Sequence, residues 1–520
     1  MYRAELVLGL LIAVAALVTI ARRLGIAYPI FLVIGGLALG LVPGLPRVEV
    51  DPDLIFLIVL PPLLYIAAYF TPIRSLRANL ATISSLAIGL VVASATAAAV
   101  VAHALIPGLP WSVAFVLGGI VAPPDAVAAS AVTARLAVPR QISTILEGES
   151  LLNDATALTI YGVALTVAAG SVFAPSTAIV TFTTAMLGGV AIGLAVGWII
   201  AEIRTRIEDT PVEMTISLLT PYAAFLPADR LDASGVIATV AAGLYLGHRR
   251  ASIMGSDARI TGGAIWNTLA FLLNGFVFIV MGFEVPVLMR ALTPSVAVRL
   301  VAIGVAVTVV LVLVRALWIA LTVYAPQRVR GRPDALPCSI VLAWAGMRGV
   351  VSLAAALAVP LALAGGEPFP GRDAIVIVTL VVIVLTLVGQ GLSLPWLIRS
   401  LSLGADAGLR EEEARARQAL VEAAMRRLDE LYRVWPGHRP LLDQLRDTYR
   451  HRSQHVERQI APGGQEDEDR ELIEHREIRR TILDAEREAL LRLRAAGEVS
   501  DEVLRELERE LDFEERRMDA

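Results

Sequence analysis

The chain has 520 residues, of which 56% are hydrophobic and 18% are charged, with a mean hydropathy of +0.67 and a formal net charge of -4. This composition is too apolar for a soluble protein of that length and predicts a protein that crosses a membrane many times. The single cysteine, Cys338, excludes an intrachain disulfide framework and a metal site built from several cysteines. Charge is sparse up to about residue 400 and dense beyond it, so we expect a transmembrane domain at 1–402 and a cytosolic helical domain at 403–520.

Apolar stretches of about 20 residues, the length that crosses a bilayer, recur along the first domain. We count about thirteen, with approximate ends at 4–21, 26–42, 53–71, 80–105, 111–134, 141–168, 178–202, 213–229, 232–247, 262–283, 298–325, 336–363 and 373–399. The first is followed, rather than preceded, by Arg22 and Arg23, which favours a retained helix over a secretion signal.

Arginine alternates between the loops that join these stretches. One set of alternate loops holds fourteen arginines and the other set holds six. Because cytoplasmic loops carry the excess of positive charge, this pattern predicts an N-terminus outside and a C-terminus in the cytoplasm, in a multi-pass protein of the cytoplasmic (inner) membrane.

Two of the predicted membrane helices contain interruptions. In the fifth, Pro123 and Pro124 precede Asp125, and proline removes a backbone donor and clashes with the preceding turn. In the twelfth, Arg348 lies between Gly346 and Gly349 at a similar depth. Interrupted helices at matched positions in two halves indicate a transporter with its site between the halves.

The sixth predicted helix carries three carboxylates, on Glu147, Glu149 and Asp154. A charged side chain at the bilayer centre costs at least roughly 2.5–3.5 kcal/mol, so each needs a partner, an aqueous cavity or a permeating ion. Ser150 and Asp154 are four residues apart and share one helix face. We expect Glu149 and Arg348 to form a buried structural ion pair, whose disruption would cost about 3–5 kcal/mol.

A carboxylate, a hydroxyl and backbone carbonyls freed near Pro124 form a hard-oxygen set that suits a small alkali cation. The same carboxylate can bind a proton, so a cation and H⁺ could compete for Asp154. Asn153 can hydrogen-bond across the interrupted helix but adds no second charge. One carrier carboxylate per site favours electroneutral one-for-one exchange.

The run from Glu147 to Asp154 resembles the GESLLND signature of the NhaP-type monovalent cation:proton antiporters, the sodium/proton exchanger family. Further segments resemble that family in the same order along the chain, over roughly residues 5–400: Leu60–Tyr65, Pro123–Ala128, Asn274–Ile279, Gly346–Val350 and Gln390–Pro395.

The resemblance implies an all-α fold of about 13 transmembrane helices, with two inverted six-helix repeats and crossed, discontinuous helices 5 and 12. It also implies a homodimer with an elevator-like core. By matching motif positions, Asp154 carries the cation or proton, with Ser150 and the backbone near Pro124 around it, and Asp125 is the acid of the fifth helix, as an ion ligand or as a helix cap. Some relatives have an acid where this chain has Ile66.

The expected function is therefore antiport of Na⁺, or of Li⁺ or K⁺, against H⁺, with no cofactor and no nucleic-acid partner. A K⁺-preferring antiporter and a cation channel are the alternatives, although a channel favours rings of charges or carbonyls along a continuous pore. An intramembrane serine protease is disfavoured because Gly148-Glu149-Ser150 lacks the second glycine and a histidine base. The charged tail predicts helices over 409–434, 470–496 and 501–517, without indicating a ligand.

Overall fold

The computed structural model describes residues 2–42, 55–133, 136, 138–171, 174–207, 209–290, 292–331, 334–363, 367–401, 403, 407–460, 465–495 and 501–519. Within these ranges the regular secondary structure is helical, apart from one isolated bridge between Ala362 and Pro368. In the same ranges, 7 helices are long and apolar enough to cross a membrane. The prediction of an all-α multi-pass membrane protein is confirmed.

The chain divides into two compact units, Met1–Ala405 and Asp406–Ala520. Residue 402, at the predicted boundary, lies outside the described residues. The helices of the first unit are α1 (Tyr2–Leu24), α2 (Tyr28–Leu41), α3 (Leu60–Phe70), α4 (Ile73–Ala78), α5 (Leu80–Leu105), α6 (Trp111–Val121), α7 (Ala126–Thr133), α8 (Arg140–Ala168), α9 (Pro175–Arg204), α10 (Thr210–Arg230), α11 (Gly235–Ile253), α12 (Ser256–Met289), α13 (Pro294–Val329), α14 (Ala335–Trp344), α15 (Val350–Leu357) and α16 (Arg372–Ser400).

Both predicted interruptions are present. Residues 122–125 separate α6 from α7, and residues 345–349 separate α14 from α15. Pro123 and Pro124 cannot donate backbone hydrogen bonds, which ends α6, while the glycines around Arg348 weaken helical continuity. The two pairs of short helices therefore place non-helical backbone inside the bundle, where other protein groups can satisfy it.

Helices of this unit approach one another closely through small residues. Gly36 on α2 faces the Ile279 carbonyl of α12, and Gly282 on α12 faces the Val33 carbonyl of α2, so a Cβ at either glycine would overlap the opposite backbone. Small residues at such contacts allow the backbones of membrane helices to pack directly. The largest buried apolar cluster joins α1, α2 and α12 to α14 and α16, and a second joins α5, α6 and α13 to α15 and α16.

The described residues of the second unit form four α-helices, α17 (Ala407–Val434), α18 (Arg439–Ile460), α19 (Gln465–Ala495) and α20 (Asp501–Asp519). Three of them lie where the charged tail predicts helices, and α18 lies between the first two of these. Within this unit, Arg446 pairs with Asp429, and Arg487 pairs with Asp512 and Glu515.

Candidate functional site

Asp154 lies in α8 and is buried, with 5% of its surface exposed. Within the part of the chain that the structure describes, its carboxylate makes no hydrogen bond and no ion pair. Asp125 is near enough for its charge to act on Asp154 through space. A buried acid without a bonded partner is costly in its charged form, so Asp154 is the group in this region that a mobile positive charge would stabilise.

Asp125 joins the two interruptions. Its backbone N–H donates to the Met347 carbonyl at 2.7 Å, which brings the α6–α7 and α14–α15 breaks into direct contact. Its carboxylate oxygens accept from the Val127 N–H at 2.8 Å and the Val350 N–H at 3.3 Å, in the first turns of α7 and α15. One carboxylate thus caps two helices, whose N-termini carry partial positive charge.

Arg348 supplies positive charge where the two breaks meet, beside the backbone carbonyls at the end of α6. Its Nε donates to the Val121 carbonyl at 3.0 Å and its Nη2 to the Ala122 carbonyl at 3.4 Å, at the C-terminal end of α6. Nη1 donates to the Gly346 carbonyl, and the backbone N–H donates to Thr386 Oγ1 at 3.1 Å. The guanidinium therefore satisfies carbonyls that the breaks release, where the helix dipole favours a cation.

Side chains of α8 hold the first break from the other side. Asn153 Nδ2 donates to the Pro124 carbonyl at 2.7 Å, and Ser150 Oγ accepts from the Ala126 N–H at 3.3 Å. The predicted residues Ser150 and Asn153, which lie four residues and one residue before Asp154 on α8, are therefore bonded to the first break at Ala126 and Pro124. A carbonyl oxygen has two lone pairs and a hydroxyl oxygen can accept twice, so Pro124 and Ser150 keep capacity to coordinate a cation.

The predicted Glu149–Arg348 ion pair is wrong. Glu149 is bonded instead by Arg315 of α13, with Nη1 to Oε1 at 2.6 Å and Nη2 to Oε2 at 2.8 Å. Arg315 Nε also donates to the Leu342 carbonyl at 3.0 Å, near the end of α14. The fork of Arg315 matches the carboxylate with two parallel bonds, whereas the donors of Arg348 are used by backbone carbonyls of the crossing.

One contributor to this region, Thr386, was not predicted, and for a second, Arg315, a structural pairing with a carboxylate or carbonyl was expected without its partner being identified. Thr386 of α16 accepts from the Arg348 N–H, and its hydroxyl also donates to the Val382 carbonyl at 2.8 Å. A threonine in an apolar helix gives no sequence signal for such a role. Arg315 did give one, since it is a charge in the middle of a long apolar helix, but its partner lies 166 residues away and spacing cannot identify it.

Gly349 allows the two breaks to meet, and Gly349→Ala should separate them. A Cβ at this position would overlap Asp125 Oδ2. We expect unfolding to become easier by at least about 2 kcal/mol, because the Asp125 cap is displaced. Thermal unfolding in detergent measures this. Gly389→Ala is the matched control, since its Cβ would meet nothing within 4 Å; equal stability of the two variants would contradict the close contact.

Comparisons with known proteins point to one family. The family model for the sodium/hydrogen exchanger, transmembrane, matches residues 9–400. An uncharacterized Na⁺/H⁺ exchanger of Mycobacterium tuberculosis (strain ATCC 25618 / H37Rv) is 36% identical over 98% of this chain and 96% of its own length. The sodium, potassium, lithium and rubidium/H⁺ antiporter of Bacillus subtilis (strain 168) is 30% identical over 75% of this chain and 61% of its own length. The structure of the sodium proton antiporter MjNhaP1 from Methanocaldococcus jannaschii matches 77% of this chain and 99% of its own, with a TM-score of 0.61 and 21% identity, which shows a shared fold.

Proposed function

The chain belongs to the sodium/hydrogen exchanger family, and on that basis we propose that it exchanges Na⁺, or Li⁺ or K⁺, for H⁺ across the cytoplasmic membrane. The exchange is electroneutral, one cation for one proton, and proceeds by alternating access. The observation that carries the proposal is the Asp154 carboxylate, buried at 5% exposure and unbonded within the described residues, beside the crossing of two interrupted helices.

The neighbouring charges leave Asp154 as the carrier. Glu149 is neutralised by the two bonds from Arg315, and Asp125 is occupied by the N-termini of α7 and α15. Asp154 has no such partner in the described part of the chain, so either a cation or a proton neutralises it. Because both bind the same oxygens, occupancy by one excludes the other, and the carrier is rarely moved empty.

The cation ligands in this proposal are the Asp154 carboxylate, Ser150 Oγ and the Pro124 carbonyl, with Asn153 holding the break in place. These are hard oxygens, as alkali cations prefer. Asp125 acts through the helix ends that it caps, and also through its charge on Asp154. The transported ions need no resident cofactor.

The membrane arrangement is part of the same proposal. About thirteen crossings, arranged as two inverted six-helix repeats, place the N-terminus outside and the second unit in the cytoplasm, in agreement with the arginine distribution. The protein works as a homodimer in the lipid bilayer, where one part of each subunit stays fixed while the part that carries Asp154 moves.

The test is exchange in proteoliposomes that contain a pH-sensitive dye. An inward Na⁺ gradient should drive saturable proton efflux without a change in membrane potential, and Na⁺, Li⁺ and K⁺ are titrated separately to find the preferred cation. A current that grows with membrane potential and does not move protons in the opposite direction would indicate a channel. The absence of proton movement with all three cations would refute the proposal.

A further inference from the structure

One face of α8 is polar from the start of the helix up to Asp154. Ser143, Glu147, Ser150 and Asp154 follow one another at intervals of four, three and four residues, which keeps them within about 60° of one helix face. Ser143, Glu147 and Ser150 are each partly exposed, and Asp154 keeps 5% exposure. We call these four residues the polar stripe.

The side chains next to the polar stripe show that it is an open face. Thr144, Leu146, Gly148 and Glu149, which point elsewhere from the same turns, are all buried. The polar stripe is therefore a partly exposed polar face with buried residues on both sides of it, while on the opposite side of the helix Gln141 and Leu152 are partly exposed as well.

The polar stripe begins at the exposed end of α8 and gives way to apolar side chains beyond Asp154. At its outer end lies the exposed Arg140, the first residue of α8. Beyond Asp154 the same face continues with Ala157, which is 1% exposed, and with Leu158, which is partly exposed and packs against two apolar clusters. The hydroxyls and carboxylates of the stripe therefore run from the Arg140 end to Asp154. The arginine distribution puts the Arg140 end in the cytoplasm.

Glu147 is the acid of this face that the carrier site does not use. Its carboxylate is partly buried and, in the described part of the chain, makes no hydrogen bond and no ion pair; Arg140 is the charged group that acts on it. Arg74 and Arg77 both lie on α4, which packs against α8, and both are exposed. A charged side chain within a membrane helix is costly, so such residues usually have a structural or a functional role. The described contacts of Glu147 show no structural role for its carboxylate.

We propose that Glu147 is a second cation position, in a cytoplasmic access path that the polar stripe lines. It lies seven residues before Asp154, about 10 Å along the helix. A hydrated monovalent cation pauses at the Glu147 carboxylate, which raises the cation concentration beside Asp154, and then moves past Ser150 to the carrier. This inference rests on the proposed antiport and adds the path by which the cation arrives.

The first test compares Glu147→Gln with wild type in proteoliposomes at low ionic strength, with the cytoplasmic side facing the Na⁺ solution. We expect the KM for Na⁺ to rise about three- to tenfold with Vmax within about twofold, because the lost charge acts on arrival and not on the carrier. Glu147→Asp should retain most of the wild-type KM. Added impermeant salt should shrink the difference, since it screens the charge.

Glu202→Gln is the matched control. Glu202 is an exposed acid that pairs with exposed Arg206, so its loss makes the same change in net charge away from the polar stripe. An equal rise in KM in both variants, or an unchanged KM in Glu147→Gln, would overturn the inference while exchange by the wild type leaves the antiport standing. If the wild type exchanges no cation, both fail.

A second measurement guards against a folding defect in Glu147→Gln. Glu147→Cys is made together with Cys338→Ser, which removes the single native cysteine. A negatively charged methanethiosulfonate reagent applied from the cytoplasmic side should lower the KM towards wild type, and a positively charged reagent of similar size should raise it. Because both reagents act on the same folded protein, a merely structural role would not give opposite effects. Labelling from the external side alone, or equal effects of the two reagents, would overturn the inference.

Discussion

Asp154→Asn is expected to abolish cation-driven proton movement. Asparagine keeps the size and the hydrogen-bonding shape of the side chain but neither binds a proton at neutral pH nor supplies a negative charge to a cation. Loss of a charged interaction worth about 3 kcal/mol lowers occupancy by a factor of about 100. Dye dequenching in proteoliposomes with Na⁺, Li⁺ and K⁺, from acid to alkaline pH, measures the loss.

The same variant should remain at least as stable as wild type. Because no hydrogen bond or ion pair of Asp154 is present in the described residues, the substitution removes an uncompensated buried charge and breaks nothing. Asp209→Asn serves as the control acid, since Asp209 is an exposed cap of α10 that accepts from the Val212 N–H at 3.0 Å; its exchange should be unaffected. Full exchange by Asp154→Asn would remove the carrier assignment, and loss of exchange accompanied by unfolding would return Asp154 to a structural role.

Local features explain why the interruptions were predictable. Pro123 and Pro124 break a helix wherever they lie, and the glycines around Arg348 act in the same local way, so the sequence was sufficient to predict both breaks. The resemblance to the NhaP-type antiporters is likewise confirmed, because it depends on motifs read in order along the chain. What these motifs do not contain is the geometry that brings the two breaks together.

The partner of Glu149 shows where sequence reasoning stopped. Arg348 lies in an interrupted helix and Glu149 in the helix that carries the carrier acid, so a pair between them was the simplest hypothesis. Charge and burial do not distinguish Arg348 from Arg315 as the partner of Glu149, since both arginines are 1% exposed. The choice is made by the direction of each side chain: Arg348 meets carbonyls released by the α6–α7 break, and Arg315 reaches Glu149 from α13. Asp125 follows the same rule, because the Val350 N–H that it caps lies 225 residues away.

Breaking the Glu149–Arg315 pair is expected to be the most destabilising of the substitutions considered. Arg315→Met leaves a fully buried carboxylate without a partner and frees the Leu342 carbonyl, which should cost about 3–5 kcal/mol. Glu149→Leu should cost a similar amount, because it strands the guanidinium. Thermal unfolding of each variant in detergent measures both losses against wild type.

The double variant separates a pair from two independent residues. Glu149→Leu with Arg315→Met leaves no unpaired charge, so it should be much less destabilised than the sum of the single variants. In the matched cycle of Glu149→Leu with Arg348→Met we expect a much smaller coupling energy, because Arg348 bonds backbone carbonyls and interacts with the Glu149 charge only through space. Strong coupling in the second cycle and none in the first would restore Arg348 as the partner. Glu149 would then be bonded where the two breaks meet, and Arg315 would have no carboxylate partner in this pair.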